Sequence, residues 1–258
     1  MSAAIITRDG VADQFGDPAR VYELASVTKP LVAYAVLVAV EEGAVELDDP
    51  AGPSGSTLAH LLSHASGLAY DTREVEAPPG EQRIYSSAGF EVASEVVAEA
   101  TGIEFGRYLS EAVCAPLEMS STTLYGPAGH AARSSVADLA AFARELLDPR
   151  LLAPETFGTL TSVRFPGLDG FVPGYGKHRP NDWGIGFEIR SEKSPHWTGT
   201  RNSPRTFGHF GQAGTFLWVD PALDAACVVL TDRLFGPWAK PLWSEFNDRV
   251  VDELSSQN

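Results

Sequence analysis

Hydrophobic and polar positions alternate with two different periods along this chain, and the change of period divides it. Near the N-terminus, Ala3 to Thr7 and Val11 to Phe15 flank Arg8-Asp9-Gly10, a short polar turn carrying Asp-Gly, which predicts a β-hairpin. After a loop over Gly16 to Arg20, Leu31 to Val40 is apolar throughout and Glu41-Glu42-Gly43 closes it, so a buried helix is expected from about Val27 to Glu42, with Gly43 at its C-terminal cap. Helical spacing continues through the middle of the chain. It predicts a short helix around Leu58, Leu61 and Leu62 capped by Ser56 or Thr57, then helices over Ala88 to Thr101, Phe105 to Val113, Val136 to Leu147 (capped by Ser134 or Ser135) and Pro154 to Leu160. Phe165 to Arg179, rich in glycine, proline and aromatics, reads as an irregular loop.

Beyond it the pattern becomes strand-like: Trp183 to Arg190, Gly214 to Val219 and Ala225 to Leu230, the last two joined by Asp220-Pro221-Ala222-Leu223-Asp224. Trp238 to Leu254 is expected to be a terminal helix burying Leu242, Phe246, Val250 and Leu254. Strands at both ends with helices between them imply an α+β fold: an antiparallel sheet built from the N- and C-terminal segments, covered by the first and last helices. The expected division is a lobe of residues 1–47 and 181–258 holding the sheet, and a mainly helical lobe of residues 48–180. Sites tend to form where two such lobes meet.

Composition excludes several functions. Thirty-four acidic residues against nineteen Lys plus Arg give a net charge of -15, which disfavours nucleic acid and anionic membranes, since both call for clustered cations. Cys114 and Cys227 stand far apart and form neither a metal spacing nor a disulfide framework. No apolar run is long enough to span a bilayer, and the first residues lack the pattern of a signal peptide, so the expected location is cytoplasmic. His60 and His64 are four apart, but no glutamate lies between them in the zinc-protease pattern; they read as structural, with no metal and no cofactor expected.

The chemistry concentrates at the head of the first buried helix. Ser26 and Lys29 are three apart and so share a helix face. First-turn N–H groups without helical partners, together with the helix dipole, favour negative charge there. Burial beside a helix N-terminus lowers a lysine pKa, which turns a poor base into a usable one. Tyr85, in Tyr85-Ser86-Ser87 just before a helix of the middle lobe, offers a hydroxyl that can share a proton with such a lysine. Gly208-His209-Phe210-Gly211-Gln212 enters a C-terminal strand whose glycines admit a close ligand, and the Gln212 N–H paired with that of Ser26 would make a two-donor oxyanion hole.

Glu23-Leu24-Ala25-Ser26-Val27-Thr28-Lys29, Leu61-Leu62-Ser63-His64-Ala65-Ser66-Gly67-Leu68, Tyr85-Ser86-Ser87 and Gly208-His209-Phe210-Gly211 occur in that order. Together they resemble the serine β-lactamase-like family, and more closely its class C branch with its esterases and D-amino-acid peptidases. Trp183-Gly184-Ile185-Gly186 resembles the strand before that family's third motif. The resemblance implies Ser26 as the acylated nucleophile, Lys29 as its base partner and Tyr85 as proton shuttle. It also implies an oxyanion hole from the N–H groups of Ser26 and Gln212, with Ser87, His209, Phe210 and Gly211 facing substrate.

Two departures set the expected substrate. Ser87 stands where the family's second motif usually ends in asparagine, and His209 where true β-lactamases carry a lysine that meets the substrate carboxylate. Both weaken recognition of a β-lactam, so the expectation is a serine hydrolase acting on a small ester or amide, esterase first and β-lactamase or D-peptidase second. The alternative is a catalytically degenerate member that keeps the pocket for binding or scaffolding.

Overall fold

A computed structural model describes residues 1–256. Its main sheet has six strands in the order β2-β1-β11-β10-β9-β8, antiparallel throughout. The N-terminal hairpin, β1 (Ser2–Thr7) and β2 (Gly10–Phe15), pairs through β1 with the C-terminal strand β11 (Ala225–Leu230). The other members are β10 (Thr215–Asp220), β9 (Phe207–Gly211) and β8 (Glu188–Ile189). A smaller sheet joins β3 (Val21–Glu23), β5 (Ala132–Ser135) and β4 (Thr123–Leu124).

β10 and β11 are buried along their whole length, which an antiparallel strand permits only when both faces of the sheet are covered. Their side chains divide by the two-residue period of a strand. Ile6, Leu217, Val219, Ala226 and Val228 enter one core, beneath helices α1 (Thr28–Glu41) and α5 (Val136–Leu147). Ile5, Phe216, Trp218, Cys227 and Val229 enter a second, beneath the terminal helix α7 (Ala239–Ser256). The same alternation orients β9. His209 lies opposite Leu217 and faces the side of α1, while Phe210 lies opposite Phe216 and turns its ring into the second core.

Most of the expected helices form where spacing and caps put them. Thr57 and His60 make a reciprocal cap on α2 (Leu58–Leu62). α3 (Ala88–Thr101) ends at Gly102 in the left-handed conformation, and Ser135 caps α5. α4 (Phe105–Leu109) continues as one π turn to Cys114, and α6 spans Pro154–Thr161.

Four expectations change. The Phe165 to Arg179 stretch is not wholly irregular: it holds a hairpin, β6 (Gly170–Val172) and β7 (Gly176–His178). Of Trp183 to Arg190 only two residues pair as strand, because Gly184 and Gly186 carry the chain across α6 and α1 at contacts too close for any Cβ. The middle of the chain contributes β4 and β5 as well as helices. Finally, the buried face of α7 is turned from the one expected: Ala239, Trp243, Asn247, Val250 and Leu254 are buried, whereas Leu242 is 52% exposed. Trp243 packs edge-on against Phe210 and Phe216, and these aromatic partners draw it inward. Trp243→Ala is therefore expected to cost about 3–5 kcal/mol, against roughly 0.5 kcal/mol or less for Leu242→Ser. Urea unfolding of the two variants checks this, and equal losses would refute the assigned face.

Candidate active site

Ser26 does not begin the long helix. It sits in a single 3₁₀ turn, Ala25–Val27, that leads into α1. Ala25 just before it has φ +47°, a left-handed conformation that a residue with a Cβ rarely adopts. Packing against β9 holds it there. A Cβ on Gly211 would come within 2.3 Å of the Leu24 carbonyl oxygen and 3.2 Å of the Ala25 Cβ, so only glycine lets the strand lie this close to the turn. Thr215 adds a hydrogen bond of 2.9 Å to the same Leu24 carbonyl.

Lys29 lies in the first turn of α1 and is fully buried. Its Nζ reaches the Gly129 carbonyl at 2.7 Å, Ser87 Oγ at 3.0 Å and Ser26 Oγ at 3.4 Å. Among the described residues no carboxylate touches it, and burial lowers its pKa from 10.5 to about 7, with distant Glu91 opposing the shift. The Lys29 Nζ also lies 4.6 Å from the centre of the Tyr85 ring.

Tyr85 is held by its neighbours on the loop. Ser86 N–H donates to His64 Nδ1 at 3.0 Å and Ser87 N–H to the Tyr70 carbonyl at 2.7 Å. Burial drives the Tyr85 hydroxyl pKa well above its usual value of 10, and a hydrogen bond with Ser26 pulls the other way. The hydroxyl also meets His209 Nε2 at 3.4 Å. His209 Nδ1 is 2.7 Å from the Phe210 carbonyl oxygen, and a carbonyl can only accept, so the ring proton sits on Nδ1. Nε2 is then bare and accepts from Tyr85. Burial and the nearby Lys29 lower the His209 pKa to about 3, so the ring is neutral.

A cavity of about 330 Å³ opens over these groups. Ser26, Tyr85, His209, Phe210 and Gln212 line it, together with Tyr70, Pro173, Trp183 and Glu188. Of the expected residues, Ser87 and Gly211 do not face this cavity: Ser87 bonds the lysine and Gly211 packs against the turn. Phe210 reaches the cavity only at its edge, its ring lying against Trp197, Phe235 and Trp243. Tyr175, Trp197 and Phe207 belong to the two cores, whereas Trp183 lines the site.

Three participants escaped the sequence reading. Gly129 meets Lys29 across a hundred residues of chain and no local pattern marks it, although a Cβ there would fall 2.7 Å from that of Ser87. Glu188 stands in an apolar strand, a signal that went unused. It is buried and held by Lys193 Nζ at 2.9 Å and Trp197 Nε1 at 2.7 Å; burial opposes ionisation, but Lys193 and His196 keep its pKa well below the carboxylate range. Tyr70, half exposed at the rim, stacks on Tyr85 with ring centres 6.0 Å apart. Among the described residues no group of three or more His, Cys, Asp or Glu side chains is arranged to hold a metal, and no helix is long and apolar enough to cross a membrane.

A family model, Beta-lactamase, matches residues 2–248. The chain belongs to the β-lactamase family. Among solved structures, a β-lactamase from Mycobacterium bovis is 58% identical with a TM-score of 0.97, over 98% of this chain and 94% of that one. Among curated proteins, penicillin-binding protein 4* of Bacillus subtilis is 24% identical over 40% of this chain and 30% of its own length. The monacolin J acid methylbutanoyltransferase of Aspergillus terreus is 30% identical over 39% of this chain and 37% of its own. The chain thus spans about a third of the length of these curated relatives. The β-lactamase family is one of serine hydrolases, with acyltransferases among its members.

Proposed function

We propose that this protein is a serine hydrolase that acylates Ser26 with an uncharged acyl group, taken from a small ester in preference to a β-lactam or a peptide with a free carboxylate. The observation that carries the reading is the contact set of Lys29. A neutral amine has two N–H donors and one lone pair. The Gly129 carbonyl and Ser87 Oγ are the nearer partners and take the two donors, and the lone pair then faces Ser26 Oγ. A serine in place of asparagine is sufficient for this, because only an acceptor is needed.

Lys29 takes the Ser26 proton as Oγ attacks the substrate carbonyl. The new oxyanion lies against the N–H groups of Ser26 and Gln212. The proton passes through the Tyr85 hydroxyl to the leaving oxygen, the acyl–oxygen bond breaks, and the alcohol departs. Water repeats the sequence and releases the acid. Tyr85 relays and is not itself the base: its raised pKa leaves no phenolate near neutrality, whereas about half of the Lys29 amine is free at pH 7. His209 accepts the Tyr85 hydroxyl hydrogen bond and points the phenol oxygen towards Ser26.

Charge supports the choice of substrate. Among the described residues no Lys or Arg lines the cavity, His209 is neutral, and the one ionised wall residue is the carboxylate of Glu188. A substrate carboxylate would meet no counter-charge there. The relative named as a methylbutanoyltransferase is in keeping with an alcohol sometimes replacing water as acceptor. The test compares p-nitrophenyl acetate and butyrate with nitrocefin, and maps the acylated peptide by mass. Ester turnover at least about 10²-fold above nitrocefin in kcat/KM is expected, since a missing charge partner costs on the order of 2–3 kcal/mol. Nitrocefin turned over as fast as the esters would reverse the substrate assignment. Failure of a fluorophosphonate probe to label the Ser26 peptide would instead favour a binding protein that keeps the pocket.

A further inference from the structure

Lys193 and His196, which contact Glu188, also line a second cavity, of about 360 Å³. Its wall carries Arg190, Lys193, His196 and Lys240 and no acidic residue, in a chain whose net charge is -15. We propose that this cavity is a binding site for a small oxyanion, a phosphate or carboxylate group, separate from the catalytic pocket.

Four observations converge on an acceptor-rich, negatively charged occupant. First, Lys240 has no carboxylate partner among the described residues; its one close contact is the Tyr175 ring at 5.6 Å. It also stands in the first turn of the eighteen-residue helix α7, where the dipole disfavours a cation and welcomes an anion. Second, the Arg190 guanidinium touches only carbonyl oxygens, those of Ser191 at 3.1 Å and of Gly199 and Thr200 at 3.4 Å. Those long contacts leave donor capacity unused. The acids nearest to Arg190 are engaged elsewhere or in solvent. Asp248 holds Thr200 Oγ1 and the Arg201 N–H, Asp220 holds Ser203, Thr206 and Ala222, and Glu192 is exposed.

Third, His196 presents a buried donor that its nearest acceptor receives poorly. The Thr198 N–H donates to His196 Nδ1 at 3.2 Å, so the ring proton sits on Nε2. That N–H lies 3.3 Å from Glu188 Oε1, a weak contact to a carboxylate already held by Lys193 and Trp197, and the side chain is only 2% exposed. Fourth, the Tyr175 hydroxyl, on another wall of the cavity, is buried and unpaired. Buried donors short of acceptors are costly to keep, and one multi-oxygen anion can satisfy both while neutralising Lys240 and Arg190. Lys193 is not a free ligand: its three protons go to Glu188 and to the carbonyls of Asp182 and Ile189. It fixes the wall between the two cavities instead.

The test titrates the intact protein with sodium phosphate and, separately, sodium succinate, at ionic strength held constant with chloride, following thermal midpoint and tryptophan fluorescence. A saturable response to phosphate identifies a phosphate-bearing ligand, and a saturable response to succinate alone a carboxylate. In either case Lys240→Gln and Arg190→Gln are each expected to weaken the apparent Kd roughly tenfold. No saturable response to either anion overturns the proposal, and so does a response that both variants keep unchanged. Lys240 is exposed, so Lys240→Gln keeps the test decisive even if Arg190→Gln lowers the midpoint of the free protein. Ester turnover plays no part in the readout, so a failed titration leaves the hydrolase reading standing and a failed hydrolase assay leaves this site standing.

Discussion

Ser26→Ala is expected to lower ester hydrolysis by about 10⁴-fold or more, with the fold and the thermal midpoint nearly unchanged. The size follows from what one oxygen does here. On the proposed mechanism it is the atom that forms the bond to the acyl carbon, and the Ser87 hydroxyl does not replace it: Ser87 Oγ lies against Lys29 Nζ and does not line the cavity. Removing it leaves the Gln212 N–H and the cavity shape, which sustain only a residual rate. Stability is spared because the Ser26 hydroxyl adds only a long contact of 3.4 Å to Lys29 and a hydrogen bond with Tyr85, and alanine keeps the 3₁₀ turn. The assay is burst-phase release of p-nitrophenol together with the intact mass after quenching. An acyl adduct persisting in the alanine variant, or a loss below about tenfold, would remove Ser26 from the centre of the chemistry.

Helices whose periodicity agreed with a cap were legible to the residue: Ala88–Thr101, closed by Gly102, and Val136–Leu147, capped by Ser135, are instances. The sheet's central strands were legible too, since β11 is uniformly apolar and β10 is apolar from Phe216 to Val219. What escaped depends on contacts distant in sequence. The left-handed Ala25 has no local cause, because Gly211 and β9 impose it from nearly two hundred residues away. The turned face of α7 follows from Trp243 packing among Phe210, Phe216 and Phe235, and a helical wheel ranks Leu242 just as highly. In the site, Ser26, Lys29, Tyr85 and His209 could be named because each carries its own chemistry. Gly129 could not, since what it contributes is a backbone carbonyl. Phe210 lines the cavity while its ring packs into the second core, because of two adjacent residues on β9 only one can face α1, and that one is His209.

Lys29→Met is expected to cut kcat/KM on the order of 10²–10⁴-fold and to abolish its rise with pH near neutrality. In the proposed mechanism the reactive form is the free amine. Its pKa is lowered to about 7, so kcat/KM climbs through pH 7 and levels off above about pH 8. His209, with its pKa near 3, adds no second step in that range. The same shift affects stability, with a sign that can be checked. The unfolded chain holds a proton on Lys29 up to about pH 10.5 and the folded chain only up to about 7, so between these values unfolding takes up a proton. Stability therefore rises with pH across that window, by at most about 1.4 kcal/mol per pH unit from this group. Lys193, also lowered by burial, adds to the slope in both proteins, so the quantity to measure is the difference between parent and Lys29→Met in urea unfolding from pH 7 to 9. A shallower slope in the variant, together with a flat activity profile, assigns both effects to one amine. An activity profile that keeps its rise near pH 7 in the methionine variant would mean that some other group takes the Ser26 proton.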